Sequence, residues 1–346
     1  MKTAAIVGHF GFGYEYLDGQ TVKTKILAAE LKNQLGDQEI SCIDTHGGAK
    51  STPKLLLRCV SALKHHRNVI ALPAHNGVRI VIPWLLFVNR FFHRRIHYAV
   101  IGGWLPNLLK EKRGLAKKLK KLDGIYVETT SMKEALEEMG FANIVVMPNC
   151  KELCVLTKEE LVYPESEPYR LCTFSRVMRE KGIEDAVQAV KAVNGKLGRT
   201  VYTLDIYGPV DPSQTEWFEN LQKEFPAYVR YGGLVPFDKS VEVLKDYFAL
   251  LFPTRFYTEG IPGTFIDAYA AGIPVITSMW KNSGDIFENG VQGLGYEFEK
   301  PSELERILFE LSQDNEVFIS LKPNCIEKAK CYLPKSVLTV LVERCK

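Results

Sequence analysis

Short apolar runs rich in β-branched residues alternate along the whole chain with longer stretches whose apolar positions recur every three or four residues. In the first half the short runs predict strands at 3–7, 39–43, 68–72, 97–101, 124–127 and 144–146, with amphipathic helices over 21–35 and 132–139. The second half repeats the rhythm, with strands at 169–174, 202–207, 229–231, 249–252 and 274–277. Its helices are expected at 183–193, 214–224, 238–245, 262–271 and 302–313, and a final one near 335–344. Strand–helix alternation of this kind predicts parallel sheets covered by helices on both faces. Between the halves, 148–168 has mixed charge, several prolines and weak periodicity, and is expected to be a linker. The pattern predicts two doubly wound α/β domains in tandem, which bind ligands beyond the carboxyl ends of their strands.

A length of 346 residues suits two such domains, and 46% hydrophobic with 25% charged residues is the balance of a globular protein. Charge changes the picture. Residues 1–150 carry 21 Lys and Arg against 12 Asp and Glu, a net of +9, and hold all 7 histidines. The remainder, with 23 against 29, is at −6. A basic half joined to an acidic one points to something anionic facing the first half alone, a lipid surface or a polyphosphate. The 8 cysteines are scattered without a C-x-x-C pair, which fits buried thiols in a reducing compartment better than zinc or disulfides. A first strand beginning at Thr3 leaves no room for a signal peptide. The longest apolar run, 78–92, is broken by Arg79, Pro83 and Arg90, short of the ~18 residues that span a bilayer. A cytoplasmic protein is expected, soluble or lying on a membrane.

The most informative segment is 253–276. A strand ends at Phe252, and a loop follows with Glu259, Gly260 and Gly263. A helix opens near Pro262, which suits a first turn, Gly272 stops it, and Pro274 begins the next strand. Free amides and the positive dipole end at Gly263 and Thr264 make a ready diphosphate site. Glu259 and Asp267 flank it, and carboxylates there suit the hydroxyls of a sugar and a ribose rather than phosphate. Upstream, a strand ends at Ser175 and a basic loop with Arg176, Arg179 and Lys181 precedes a helix starting after Gly182. An Arg and a Lys at a strand's carboxyl end converge readily on a pyrophosphate, although a solvated basic loop is the plain alternative.

The segment 253–276 resembles the retaining family-4 glycosyltransferases of the GT-B fold, whose motif is a Glu, seven residues, and a second Glu. The spacing is kept at 259 and 267, with Asp in the second place. The resemblance is strong from 169 to about 298 and weaker before that. It implies two Rossmann-like domains facing across a cleft: an acceptor-binding one over 1–160, rejoined by the last helix at about 333–346, and a donor-binding one over 168–332. It assigns Glu259 to the donor sugar, Asp267 to the ribose, and Arg176 and Lys181 to the donor diphosphate. Arg179 is left to the surface. Val235 and Pro236, after a strand end at 231–233, would wall the nucleotide base.

In the first half, Gly11 and Gly13 belong to a glycine loop running to Asp18-Gly19, which the resemblance places beneath the donor phosphates. The order is not G-x-G-x-x-G, though Asp44 at the end of the second strand keeps a nicotinamide reading open for this half alone. His75 reads more readily as structural. Where many relatives carry a His that meets the donor sugar, this chain has Gly102, Gly103 and Trp104.

The resemblance further implies transfer with retention, the leaving diphosphate taking the acceptor's proton, with no protein base, no metal and no cofactor. The donor is expected to be a UDP-sugar and the acceptor a glycan or polyprenyl-linked sugar in surface-polysaccharide synthesis. Two basic stretches that mix cations with apolar groups, 84–95 and a helix over 110–121, suggest an anionic membrane surface as a partner. No nucleic-acid module is visible. A nucleotide-sugar epimerase or a nonenzymatic nucleotide-sugar-binding scaffold are the alternatives.

Overall fold

A computed structural model describes residues 1–13 and 19–346, the side chains of 48–51 and 237 excepted. Asp18 lies outside the described residues. The chain forms two compact units, Met1–Glu152 with Leu333–Lys346, and Leu153–Tyr332. Among the described residues no helix is long and apolar enough to cross a membrane.

In the first unit β1 (Lys2–Gly8), β2 (Ile40–Asp44), β3 (His66–Leu72), β4 (Arg95–Ala99), β5 (Gly124–Val127) and β6 (Ile144–Val146) form one parallel sheet in the order β2-β1-β3-β4-β5-β6. Residues Ala4, Ala5, Ile6 and Val7 are all fully buried because both faces are covered. Alternation splits them: Ala5 and Val7 pack with Cys59, Leu63, Ile82 and Leu85 of the helices Gly48–His65 and Val78–Val88. Ala4 and Ile6 pack instead with Leu27 and Leu31 of Gly19–Leu35 and with Leu338 and Leu341 of the last helix, Pro334–Cys345. Asn68 in β3 ties that last helix down, its amide donating to the Cys345 carbonyl at 2.8 Å.

In the second unit β7 (Tyr169–Phe174), β8 (Tyr202–Tyr207), β9 (Val229–Gly233), β10 (Ala249–Phe252), β11 (Val275–Met279) and β12 (Gly293–Glu297) are also parallel, in the order β12-β11-β10-β7-β8-β9. The strand order reverses between β7 and β10, the place where a doubly wound sheet leaves room for a ligand. Helices Ile183–Leu197 and Pro301–Leu311 cover one face, Gly263–Ala270 and Lys322–Lys330 the other.

Several elements differ from the pattern-based expectation. The basic stretch 110–121 is not one helix. Leu105–Glu111 and Arg113–Leu119 are separated at Lys112 (φ −111°, ψ 65°), where Gly114 in the next turn removes the propensity that would carry the helix through. Strand β12 and the Gly48–His65 helix have no counterpart in the expected elements. The stretch expected as a linker is packed on the second unit from 153 onward: the Leu156 amide donates to the Ala270 carbonyl at 2.9 Å, and Leu161 is buried.

Candidate functional site

Because β7 and β10 are neighbours, the loops leaving them run side by side. Gly182 makes the close approach possible: at φ +68°, a Cβ there would lie 1.9 Å from the Pro253 carbonyl oxygen. The Arg255 amide donates to the Glu180 carbonyl at 2.8 Å, and the Arg255 guanidinium grips both oxygens of Asp185 at 2.8 and 2.5 Å. Thr254, buried, accepts from the Phe256 amide at 3.1 Å, and its carbonyl accepts from Ser278 at 2.6 Å. This frame sets Lys181 against Glu259. Their side chains form an ion pair and are only 16% and 18% exposed. Lys181 Nζ also lies 5.4 Å from the centre of the Phe252 ring. Asn282 fixes the backbone beneath, donating to the Glu259 carbonyl at 2.6 Å.

The same loop leads into Gly263–Ala270, whose N-cap is Pro262 in extended conformation and whose start no side chain caps among the described residues. The Gly263 and Thr264 amides and the positive end of the helix therefore face no capping side chain and suit an anion, while the Phe265 amide donates to the Pro262 carbonyl at 3.1 Å. Thr264 beside them is 8% exposed, and its hydroxyl has no hydrogen-bond partner among the described residues. A buried hydroxyl left unpaired costs about 1–3 kcal/mol, which a ligand oxygen would recover. The helix is held rigidly: Phe265 meets Phe252 and Trp280 edge-on with centroids 5.1 and 5.4 Å apart, and Ile266, Ala268 and Tyr269 are fully buried.

The other expected residues are placed differently. Asp267 is 2% exposed and accepts from Ser240 Oγ at 2.8 Å, so its carboxylate ties the helix to the segment that follows β9. Arg176, 62% exposed, lies 3.5 Å from Asp211. Asp211 itself is held below the usual carboxylate range, first by Ser213, then also by Arg176. Val235 and Pro236 sit beyond β9, at the edge of the sheet, next to Leu234, which is 69% exposed. Lys181, Glu259, Gly263 and Thr264 are thus gathered at the order reversal; Arg176 belongs to the same loop after β7 and Asp267 to the same helix, each engaged with a partner from another loop, while Val235 and Pro236 follow β9. Asn282, Ser240 and the Arg255–Asp185 clamp escaped sequence reasoning, since their partners lie far off along the chain.

In the first unit Gly11 and Gly13 take left-handed φ of 60° and 88°. Asp44 organises their loop, accepting from the amides of Phe10 and Phe12 at 3.0 Å and of His46 at 2.9 Å. Burial pushes the Asp44 carboxyl upward, but these amides outweigh it and hold the group below its ordinary range. Asp44 is thereby committed to the loop backbone. His75 is exposed and meets Trp104 edge-on at 5.1 Å, and Trp104 donates to the Ile101 carbonyl at 2.8 Å.

Comparison with known proteins bears on this site. Residues 168–314 match the family of glycosyl transferases group 1. The matched span holds both loops of the site and the Gly263–Ala270 helix. Within the curated proteins, the amylovoran biosynthesis glycosyltransferase AmsK of Erwinia amylovora is 25% identical over 151 residues, 42% of this chain. That alignment spans 37% of the length of AmsK. Among solved structures, Anabaena HepE in complex with UDP superposes with a TM-score of 0.75 over 99% of each chain at 12% identity. The apo form of the lipopolysaccharide outer core galactosyltransferase WaaB does so with a TM-score of 0.67 over 99% of this chain and 98% of its own, at 18% identity. The fold is therefore GT-B, with both Rossmann-like units included in the match.

Proposed function

We propose that the chain is a retaining glycosyltransferase that moves a hexose from a UDP-sugar to a glycan or lipid-linked acceptor in cell-surface polysaccharide synthesis. The observation that carries this reading is the Lys181–Glu259 pair in the loops leading to the uncapped, Thr264-bearing start of the Gly263–Ala270 helix. The group 1 match over the same residues supports it, as do AmsK and the HepE complexes with UDP and UDP-glucose. In the step proposed, the bond from the anomeric carbon to the diphosphate oxygen breaks, and the acceptor oxygen bonds that carbon on the same face. The acceptor proton passes to the departing diphosphate. Lys181 and the amides of Gly263 and Thr264 take up the developing negative charge, joined by Arg176 once it leaves Asp211. Positive charge of this kind makes a metal unnecessary in the proposal. Glu259 orients the sugar hydroxyls. Asp267 meets the ribose of the donor in this proposal, its carboxylate having acceptor sites beyond the one taken by Ser240, which also ties it to the segment after Val235 and Pro236.

Exposed Phe87 and Phe91, with Arg90 5.9 Å above the Phe87 ring, support attachment of the first unit to the anionic inner face of the cell membrane. The test of the main reading is a thermal-shift screen against UDP-, GDP- and ADP-sugars, repeated on Glu259→Ala and Arg176→Ala. Stabilisation by a UDP-sugar that both variants lose is the expected result. If no nucleotide sugar stabilises the wild-type protein, the reading fails.

A further inference from the structure

Parallel strands buried on both faces are apolar throughout, yet three charged side chains meet on one face of β7, β8 and β9. Register brings them together. Asp205 pairs with Arg230, and Arg170 pairs with Thr203, which lies two residues before Asp205 on the same side of β8. Further along β7 on this face Cys172 is fully buried in the apolar core, whereas the side chains of Arg170 and Arg230 are 42% and 68% exposed.

Asp205 is buried, and it accepts from Arg230 Nε and Nη2 at 2.5 and 3.0 Å and from the Tyr247 hydroxyl. One guanidinium and one phenol therefore satisfy the carboxylate. Arg170 is surplus to that need. Its Nη2 lies 3.4 Å from Asp205 Oδ2, longer than an ordinary hydrogen bond, and 3.1 Å from the Tyr247 hydroxyl. What fixes Arg170 is the Tyr247 ring, whose centre is 4.4 Å from the guanidinium carbon. Among the described residues Nη1 of both arginines and Nε of Arg170 donate to nothing.

A cavity of about 360 Å³ opens on these groups, with Thr203 beside the charged residues and Pro168, Ala227 and Tyr228 completing the lining. It lies at the amino ends of the strands. Arg170 and Arg230 are each the second residue of theirs, whereas Lys181 and Glu259 follow the carboxyl ends of β7 and β10. Two cations and one acid leave the lining at +1, although residues 151–346 as a whole are at −6. A single negative charge balances that excess, and a carboxylate brings one, where a phosphate monoester brings about −1.5 to −2 at neutral pH. The donors left on the arginines, with the Thr203 hydroxyl, suit its two oxygens. Pro168, Ala227 and the Tyr228 ring suit a compact apolar body behind the charge.

We infer that this cavity binds a small monocarboxylate, held by Arg170 and Arg230 at the end of the sheet away from the proposed donor loops. The test is calorimetric titration of the full chain, at low ionic strength, with benzoate, its neutral analogue benzamide, inorganic phosphate and dimethyl phosphate. Benzoate is expected to bind about tenfold or more tighter than benzamide, and tighter than either phosphate. Arg170→Met should weaken benzoate about tenfold or more with little change in melting temperature, because Asp205 keeps its shorter bonds. Ala227→Glu, on an exposed residue of the lining, should weaken benzoate by a like factor without touching either arginine, and Ala227→Lys should not. Arg306→Met, which removes an exposed ion pair with Glu310 on another element, should leave it unchanged. Saturating UDP should not displace benzoate from the wild-type protein.

No binding of benzoate, equal affinity for benzamide, or undiminished affinity in Arg170→Met would overturn the inference. So would equal effects of Ala227→Glu and Ala227→Lys. Tighter binding of either phosphate would refute the carboxylate, and displacement by UDP would move the bound benzoate to the donor loops.

Discussion

Replacing Lys181 by Met removes the charge at the centre of the proposed donor site while keeping an apolar stem of similar reach. Two effects follow from the geometry, and they separate. With its partner gone, Glu259 is left as a carboxylate only 18% exposed. Stripping one partner from a fully buried pair costs 3–5 kcal/mol, and solvent access here reduces that to about 1–3 kcal/mol of stability. Independently, a charge-assisted hydrogen bond to the diphosphate, worth about 1.5–3 kcal/mol, is lost from binding. UDP affinity should therefore fall roughly 10- to 150-fold. Titration calorimetry with UDP and urea unfolding followed by circular dichroism measure the two terms. The double variant Lys181→Met/Glu259→Gln should regain most of the stability, because the stranded charge is gone, but none of the affinity. If UDP binds the folded single variant within twofold of wild type, Lys181 does not hold the diphosphate and the assignment is wrong. If the double variant recovers affinity together with stability, the lysine acts only by supporting the loop.

Three further outcomes are expected. His97 is buried, its Nδ1 3.2 Å from the Tyr126 hydroxyl, and burial lowers its pKa to about 4. A histidine kept neutral in the fold stabilises fully above its unfolded value of about 6.5, and loses that contribution as pH falls towards 4. Wild type should therefore lose up to about 3 kcal/mol of first-unit stability over this window, and His97→Gln should flatten the slope of urea midpoint against pH. Gly293→Ala would place a Cβ 1.9 Å from the Val275 carbonyl oxygen, and should lower the melting temperature of the second unit by several degrees or prevent its folding. Gly13→Ala meets no atom of the described residues within 4 Å and adds the left-handed strain of φ +88°, about 1–2 kcal/mol, so its thermal unfolding should shift far less.

Much of the sheet framework was legible because buried parallel strands announce themselves. Runs such as Ala249-Leu250-Leu251-Phe252 are apolar at every position and short, as a strand covered on both faces requires. Strand β12 carries Gly293 and Gly295, which weaken a strand pattern. They are glycines for a steric reason: Cβ atoms there would strike the Val275 backbone and the Met279 sulfur, at 1.9 and 2.6 Å. The Gly48–His65 helix carries Pro53 in its interior, a residue that lowers helix propensity there. At the site, the spacing of Glu259 and the basic loop was visible, but its couplings were not. Asp267 meets Ser240 across 27 residues and Lys181 meets Glu259 across 78, separations that local pattern does not encode. The exposure of Arg176 and the burial of Asp267 are likewise decided by tertiary neighbours.

The last helix belongs to the first unit although the whole second unit precedes it in the chain. The first unit is therefore a discontinuous domain, and the second is an insertion anchored at both ends. During synthesis the insertion has every residue it needs before its host does. Until residues 333–346 leave the ribosome, Leu27 and Leu31 lack the apolar cover of Leu338 and Leu341, and Asn68 lacks the Cys345 carbonyl. Maturation should then run inside out, the inserted unit reaching its native state while its host waits, exposed to chaperones and proteases, for the final turns of the chain.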